Sequence, residues 1–123
     1  MQRRPTFFNI ARIQLPVGAV TSILHRVTGT LMALAIPVTA YVLDLSLRSP
    51  DSYVRVVGFL DNMLVRVAII ILVWALTHHF LAGIRHLLSG IDIGSELSVA
   101  RRSAWFVNLC AALVALLAVS VLL

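Results

Sequence analysis

The sequence predicts an all-α integral membrane protein of three transmembrane helices preceded by a short N-terminal cytoplasmic segment. Three observations predict it. Of the 123 residues 60% are hydrophobic and only 12% are charged, where a soluble domain carries about a quarter charged residues, and the mean hydropathy is +0.99. Three apolar runs each reach the roughly 20 residues that a helix needs to cross a bilayer core. All ten basic residues are arginines, and they gather at the ends of those runs, where such residues orient spans and meet lipid headgroups.

The elements follow in order within a single domain, 1–123. Residues 1–21 form the N-terminal segment. It contains arginines but no acid before Arg12, a faint likeness to a transit peptide. No small-residue cleavage site follows, and the apolar run comes too late for a signal peptide, so residues 1–24 read as mature protein. The first span is expected over about Ser22–Leu47, with Pro37 a tolerated kink inside it. The cluster Ser49-Pro50-Asp51-Ser52 reads as a turn. The second span is expected over about Leu64–Leu88. Ile91–Arg102 reads as a polar link, with Ser103 as N-cap of a third span over Ala104–Leu123.

Orientation follows from the arginines. Arg3, Arg4, Arg12 and Arg26 precede or open the first span, and Arg85, Arg101 and Arg102 flank the link after the second. Three spans put these two groups on one side. The other side holds Arg48, Arg55 and Arg66 together with Asp44, Asp51 and Asp61. The bias predicts a cytoplasmic N-terminus and a C-terminus outside, periplasmic in a bacterial inner membrane. The charge of +5 forms no aromatic-interleaved basic patch, so lipid rather than nucleic acid is the expected partner. A single cysteine, Cys110, excludes both a disulfide framework and a cysteine metal cluster within the chain.

Ionisable groups inside a span cost roughly 2.5 kcal/mol or more, so each needs a partner or a task. Ser22, His25, Arg26 and Gly29 recur at offsets of 0, 3, 4 and 7 and share one helical face, a small polar pocket where the chain enters the bilayer. Arg26 alone would read as a snorkelling anchor. In the second span His79, Gly83 and His86 also share a face. A histidine one turn before a glycine suits axial ligation of a haem, the missing side chain leaving room for the macrocycle. Arg85, about 9 Å further along, would place a cation near emerging propionates. From the spacing alone His79 reads equally as a histidine bonding two helices together. His78 points about 100° away and reads as packing. Asn108 reads as an interhelical bond, Trp105 as an interfacial anchor and Trp74 as packing.

The two clusters together resemble the signature regions of the cytochrome b556 subunit of succinate dehydrogenase. The first runs Arg4-Pro5, Ile10, then Ser22-Ile23-Leu24-His25-Arg26-Val27-Thr28-Gly29; the second is His79-x-x-x-Gly83-Ile84-Arg85-His86-Leu87. The likeness extends over essentially the whole chain. It implies a heteromeric helical bundle, with His79 as an axial iron ligand of haem b whose second ligand comes from a small companion anchor subunit. It implies that Ser22 and Arg26 bind the ubiquinone headgroup, and that His25, Arg26 and His86 approach the propionates. It further implies flavoprotein and iron–sulfur subunits that oxidise succinate, since this chain has neither a nucleotide fingerprint nor a cysteine cluster. One departure stands out. The family usually carries an aspartate shortly after its Arg-His-Leu segment, where this chain has Ser89 and Gly90 and an acid only at Asp92. A fumarate reductase anchor, a non-haem membrane scaffold and a transporter or channel half are the competing readings, the last disfavoured by the lack of paired repeats and broken helices.

Overall fold

The computed structural model describes residues 14–123, and the expectations placed on Arg3, Arg4, Pro5, Ile10 and Arg12 lie outside them. Four helices occupy the described residues: α1 (Val17–Arg48), α2 (Pro50–Leu60), α3 (Met63–Gly90) and α4 (Leu97–Leu122). Three of them, α1, α3 and α4, are long and apolar enough to cross a membrane, which matches the expected three spans. Each begins earlier than expected, α1 at Val17, α3 at Met63 and α4 at Leu97, the last through the polar residues Ser98, Arg101, Arg102 and Ser103. At 32 residues, α1 is about 48 Å long and outreaches a core of about 30 Å. It continues through Pro37, and the Thr39 hydroxyl donates to the Ala35 carbonyl in the adjacent turn.

Ser49-Pro50-Asp51-Ser52 is more than a turn. Pro50 drives the residue before it out of the helical region, and Ser49 is extended at φ −163°, ψ 160°, which ends α1. The same Ser49 then caps α2: its Oγ accepts from the Ser52 amide at 3.1 Å, and the Ser49 amide donates to the Ser52 Oγ at 3.0 Å. This is a capping box with proline at the first turn. With 11 residues, α2 is too short to span.

α3 and α4 meet along a seam of small residues. Ala75 and Ala82 on α3, and Ala104, Val107 and Ala111 on α4, are buried, and small side chains let helix backbones come close in a membrane. One polar node interrupts the seam. Asn108 Oδ1 accepts from the His78 Nε2–H at 3.0 Å and, in a bond shared with the Val17 carbonyl, from the Thr21 hydroxyl at 3.2 Å, joining all three spans. Arginines brace the two ends. Arg85 donates through Nε to Ser103 Oγ at 3.0 Å and through Nη2 to the Ala100 carbonyl at 3.2 Å. At the far end Arg66 donates to the Leu122 carbonyl at 3.0 Å and pairs with Asp61. Ser103 is therefore not an N-cap. α4 starts six residues earlier, at Leu97, and Ser103 sits in its second turn as the acceptor for Arg85.

The link between α3 and α4 shortens accordingly. The Asp92 amide bonds the Ser89 carbonyl at 3.2 Å and the Ile93 amide bonds the Leu88 carbonyl at 2.9 Å, with Asp92 itself left-handed at φ 60°. That pattern is a Schellman cap with aspartate where glycine is usual. Asp92 is exposed, and its place in the fold is that of a helix terminator. Left-handed geometry costs a side-chain-bearing residue about 1–2 kcal/mol, less for Asp. Asp92→Val is therefore expected to destabilise the chain by about 1–2 kcal/mol, while Asp92→Gly leaves it unchanged or slightly firmer. Unfolding in mixed micelles followed by circular dichroism measures both.

Candidate functional site

The polar residues singled out in α1 and α3 come together where the two antiparallel helices cross. His25 and His79 stack face to face, ring centroids 4.2 Å apart and planes 9° from parallel. His86, two turns beyond His79, lies with its ring centroid 5.0 Å from that of His25, tilted by 57°. All three rings are half-buried, at the border between the packed seam and the open side of the helix pair.

Each helix carries a glycine one turn beyond its histidine, and the stack depends on the one at Gly29. A Cβ at Gly29 would stand 2.9 Å from His79 Cε1 and 3.3 Å from Nδ1, closer than a side chain tolerates. The imidazole of His79 thus fills the space that Gly29 leaves. Reciprocally, Gly83 faces His25, whose Nε2 would be 3.5 Å from a Cβ there, an ordinary contact. The sequence suggests that Gly29 opens room over the α1 pocket and that Gly83 opens room for a macrocycle. In the fold a histidine of the opposite helix lies against each glycine. The signal was available, since His25–Gly29 and His79–Gly83 share one spacing of four residues.

Hydrogen bonding fixes the His79 ring. Its Nδ1 lies 3.0 Å from the His25 carbonyl, and a carbonyl can only accept, so Nδ1 carries the proton. Thr28 Oγ1 is 3.4 Å from the same nitrogen. With the proton at Nδ1, the neutral ring keeps its lone pair on Nε2, which makes no hydrogen bond among the described residues. A backbone carbonyl holding one ring nitrogen while the other is left to a metal is the common arrangement of ligating histidines. The donor chemistry and the glycine cradle therefore fit a haem iron at His79. The face-to-face stacking of His25 on His79 keeps the two rings from converging on one point as donors, so His79 would hold the iron on this chain. Among the described residues no group of three or more His, Cys, Asp or Glu side chains is arranged to hold a metal ion.

The remaining predicted residues divide. Ser22 is half-buried and Arg26 exposed beside His25 on α1, and neither side chain makes a hydrogen bond among the described residues. Arg85 turns away from the histidines towards α4 and passes 3.4 Å from the position of a Cβ at Gly18. Thr21 and Asn108 bond each other across helices.

Comparison with known proteins identifies the family. Residues 1–119 match the family described as succinate dehydrogenase/fumarate reductase transmembrane subunit. The chain is 28% identical over 115 residues to the succinate dehydrogenase cytochrome b556 subunit of Rickettsia felis, covering 94% of this chain and 90% of the relative. It is 30% identical over 101 residues to the subunit of that name from Paracoccus denitrificans (82% and 78% covered). The counterpart from Coxiella burnetii is 29% identical over 106 residues, with 85% of each chain covered. With nearly its whole length matched and three spans in place, the chain belongs to the family of succinate dehydrogenase/fumarate reductase transmembrane subunits.

Proposed function

We propose that this chain is the haem b-binding anchor subunit of a succinate dehydrogenase and forms part of its quinone-reducing site. The observation that carries the haem assignment is the His79 ring, held through Nδ1 by the His25 carbonyl and seated against Gly29, which leaves Nε2 as the donor. Bound there, haem b supplies a one-electron carrier. His25 and His86 flank the ring on the side nearer the α3 terminus, where they and Arg26 would meet the propionates. Arg85 contributes positive potential rather than contact, since two of its N–H groups bond Ser103 and Ala100 and turn the guanidinium towards α4.

On this chain haem b would be held by His79, and a donor from another chain would complete the site. A small second anchor subunit on the open side of α1 and α3 is the partner this requires. Flavoprotein and iron–sulfur subunits complete the assembly and deliver electrons from succinate. Ser22, half-buried one turn before His25 and Arg26, would donate to a ubiquinone carbonyl. Arg26, exposed one residue beyond His25, supplies the cation that stabilises negative charge as it builds on the quinone oxygens. The arginine bias supports an orientation with this end cytoplasmic, the membrane being read as a bacterial inner membrane. Arg48 and Arg66 at the far end are paired with Asp44 and Asp61, whereas among the described residues no ion pair involves Arg101 or Arg102.

In the complex co-purified with its neighbours, His79→Ala is expected to abolish the b-type α-band of a dithionite-reduced minus oxidised spectrum. A band of wild-type height would assign the iron to a different residue. Gly29→Ala keeps the ligand but pushes its ring aside, so haem content per complex should fall even though His79 is intact; pyridine haemochrome titration measures it. Arg26→Leu is expected to slow quinone reduction about tenfold or more with assembly and succinate oxidation by an artificial acceptor retained. Unchanged quinone kinetics would remove Arg26 from the site.

A further inference from the structure

His78 is the largest fully buried side chain of the described residues, and neither haem ligation nor quinone binding uses it. We propose that His78 is a positioning residue: through Asn108 and Thr21 it fixes the roll of α3 and so sets the orientation at which His79 meets the iron. The proposal rests on the reading of His79 as an axial ligand.

Consecutive residues on a helix are separated by about 100° and 1.5 Å, so any rotation of α3 that moves one imidazole moves the other by the same angle. The seam around His78 does not resist such rotation by shape. Ala75 and Ala82 flank it on the same face and meet Ala104, Val107 and Ala111 of α4, and methyl groups slide past one another with little change in contact. A directional bond does resist, and at this level the His78 Nε2–H to Asn108 Oδ1 bond at 3.0 Å is the one that holds α3 to α4, as the His79 Nδ1–H to His25 carbonyl bond holds it to α1. Asn108 Oδ1 also takes the Thr21 hydroxyl. The pin therefore reaches α1, the helix that supplies both the His25 carbonyl and the Gly29 seat to His79.

A second feature points the same way. His78 Nδ1 is buried with no hydrogen-bond partner, and Trp74 packs near the ring at a centroid distance of 5.8 Å. A phenylalanine would fill this space without stranding a polar atom, and an unsatisfied buried group carries a free-energy cost. An imidazole at this position is accounted for by its bond to Asn108 rather than by volume.

The test compares assembled complexes carrying His78→Phe, His78→Gln, Thr21→Val and His79→Ala with wild type. The readouts are haem affinity, the gmax of the oxidised low-spin haem in electron paramagnetic resonance, and its midpoint potential. His78→Phe should displace gmax and the potential and weaken haem affinity about three- to tenfold, the equilibrium equivalent of one interhelical hydrogen bond in a membrane. His78→Gln keeps a donor for Asn108 and should restore values close to wild type. Thr21→Val removes only the hydroxyl and should shift gmax in the same direction by less; it serves as the reading if His78→Phe does not assemble. Wild-type gmax, potential and affinity in His78→Phe, or in Thr21→Val where the former fails to assemble, would overturn the positioning role. A b-type spectrum that survives His79→Ala would instead overturn the axial-ligand reading, which separates the two failures.

Discussion

Three apolar helices in lipid gain little by burying one another, since the surrounding acyl chains are as apolar as their side chains. The bonds that His78 and Thr21 make to Asn108 therefore govern the arrangement out of proportion to their number. Each such bond contributes about 0.6 kcal/mol on average and up to about 1.7, but together they specify one relative placement of three helices. The alanine seam permits that placement by allowing close approach. Arg85 on Ser103 and Ala100 at one end, and Arg66 on Leu122 and Asp61 at the other, brace α3 and α4 above and below the node.

The site inherits its geometry from that arrangement. His78 faces inward and is fully buried, and the next residue, His79, falls at the border of the packed seam. There it is enclosed enough for its Nδ1 to be held by α1 and open enough for a ligand to approach its other nitrogen. Crossing antiparallel, α1 and α3 bring the shallow Gly83 beside His25 and the deeper Gly29 beside His79. The candidate ligand is thus oriented by the backbone of a neighbouring helix, a more rigid support than a mobile side chain.

The parts legible in the sequence were those that depend on one helix at a time. Run length revealed three spans, and offsets of three, four and seven gathered His79, Gly83 and His86 on one face and Ser22, His25 and Gly29 on another. Parts that depend on two helices were hidden. Nothing in spacing alone says that His79 fills the space over Gly29, or that Arg85 turns away towards Ser103. The start of α4 was missed because apolarity marks the hydrocarbon, not the helix, and Leu97–Ser103 is helical while polar. α2 was missed because Ser49-Pro50-Asp51-Ser52 carries two messages at once, an end and a beginning, and its box closes with serine at the position where glutamate or glutamine is the usual sign. The displaced acid at Asp92 acquired a structural explanation only when its left-handed backbone was seen.

The seating of His79 on Gly29, with His25 stacked on the same ring, ties three positions on two helices into one unit of change. Enlarging Gly29 displaces an imidazole on the other helix, and that displacement is transmitted through the stacked rings to His25. Gly83 is looser, since a methyl group there meets His25 only at ordinary contact distance. Over evolutionary time such positions are expected to vary together or not at all, whereas the lipid-facing residues between them are free to exchange one apolar side chain for another.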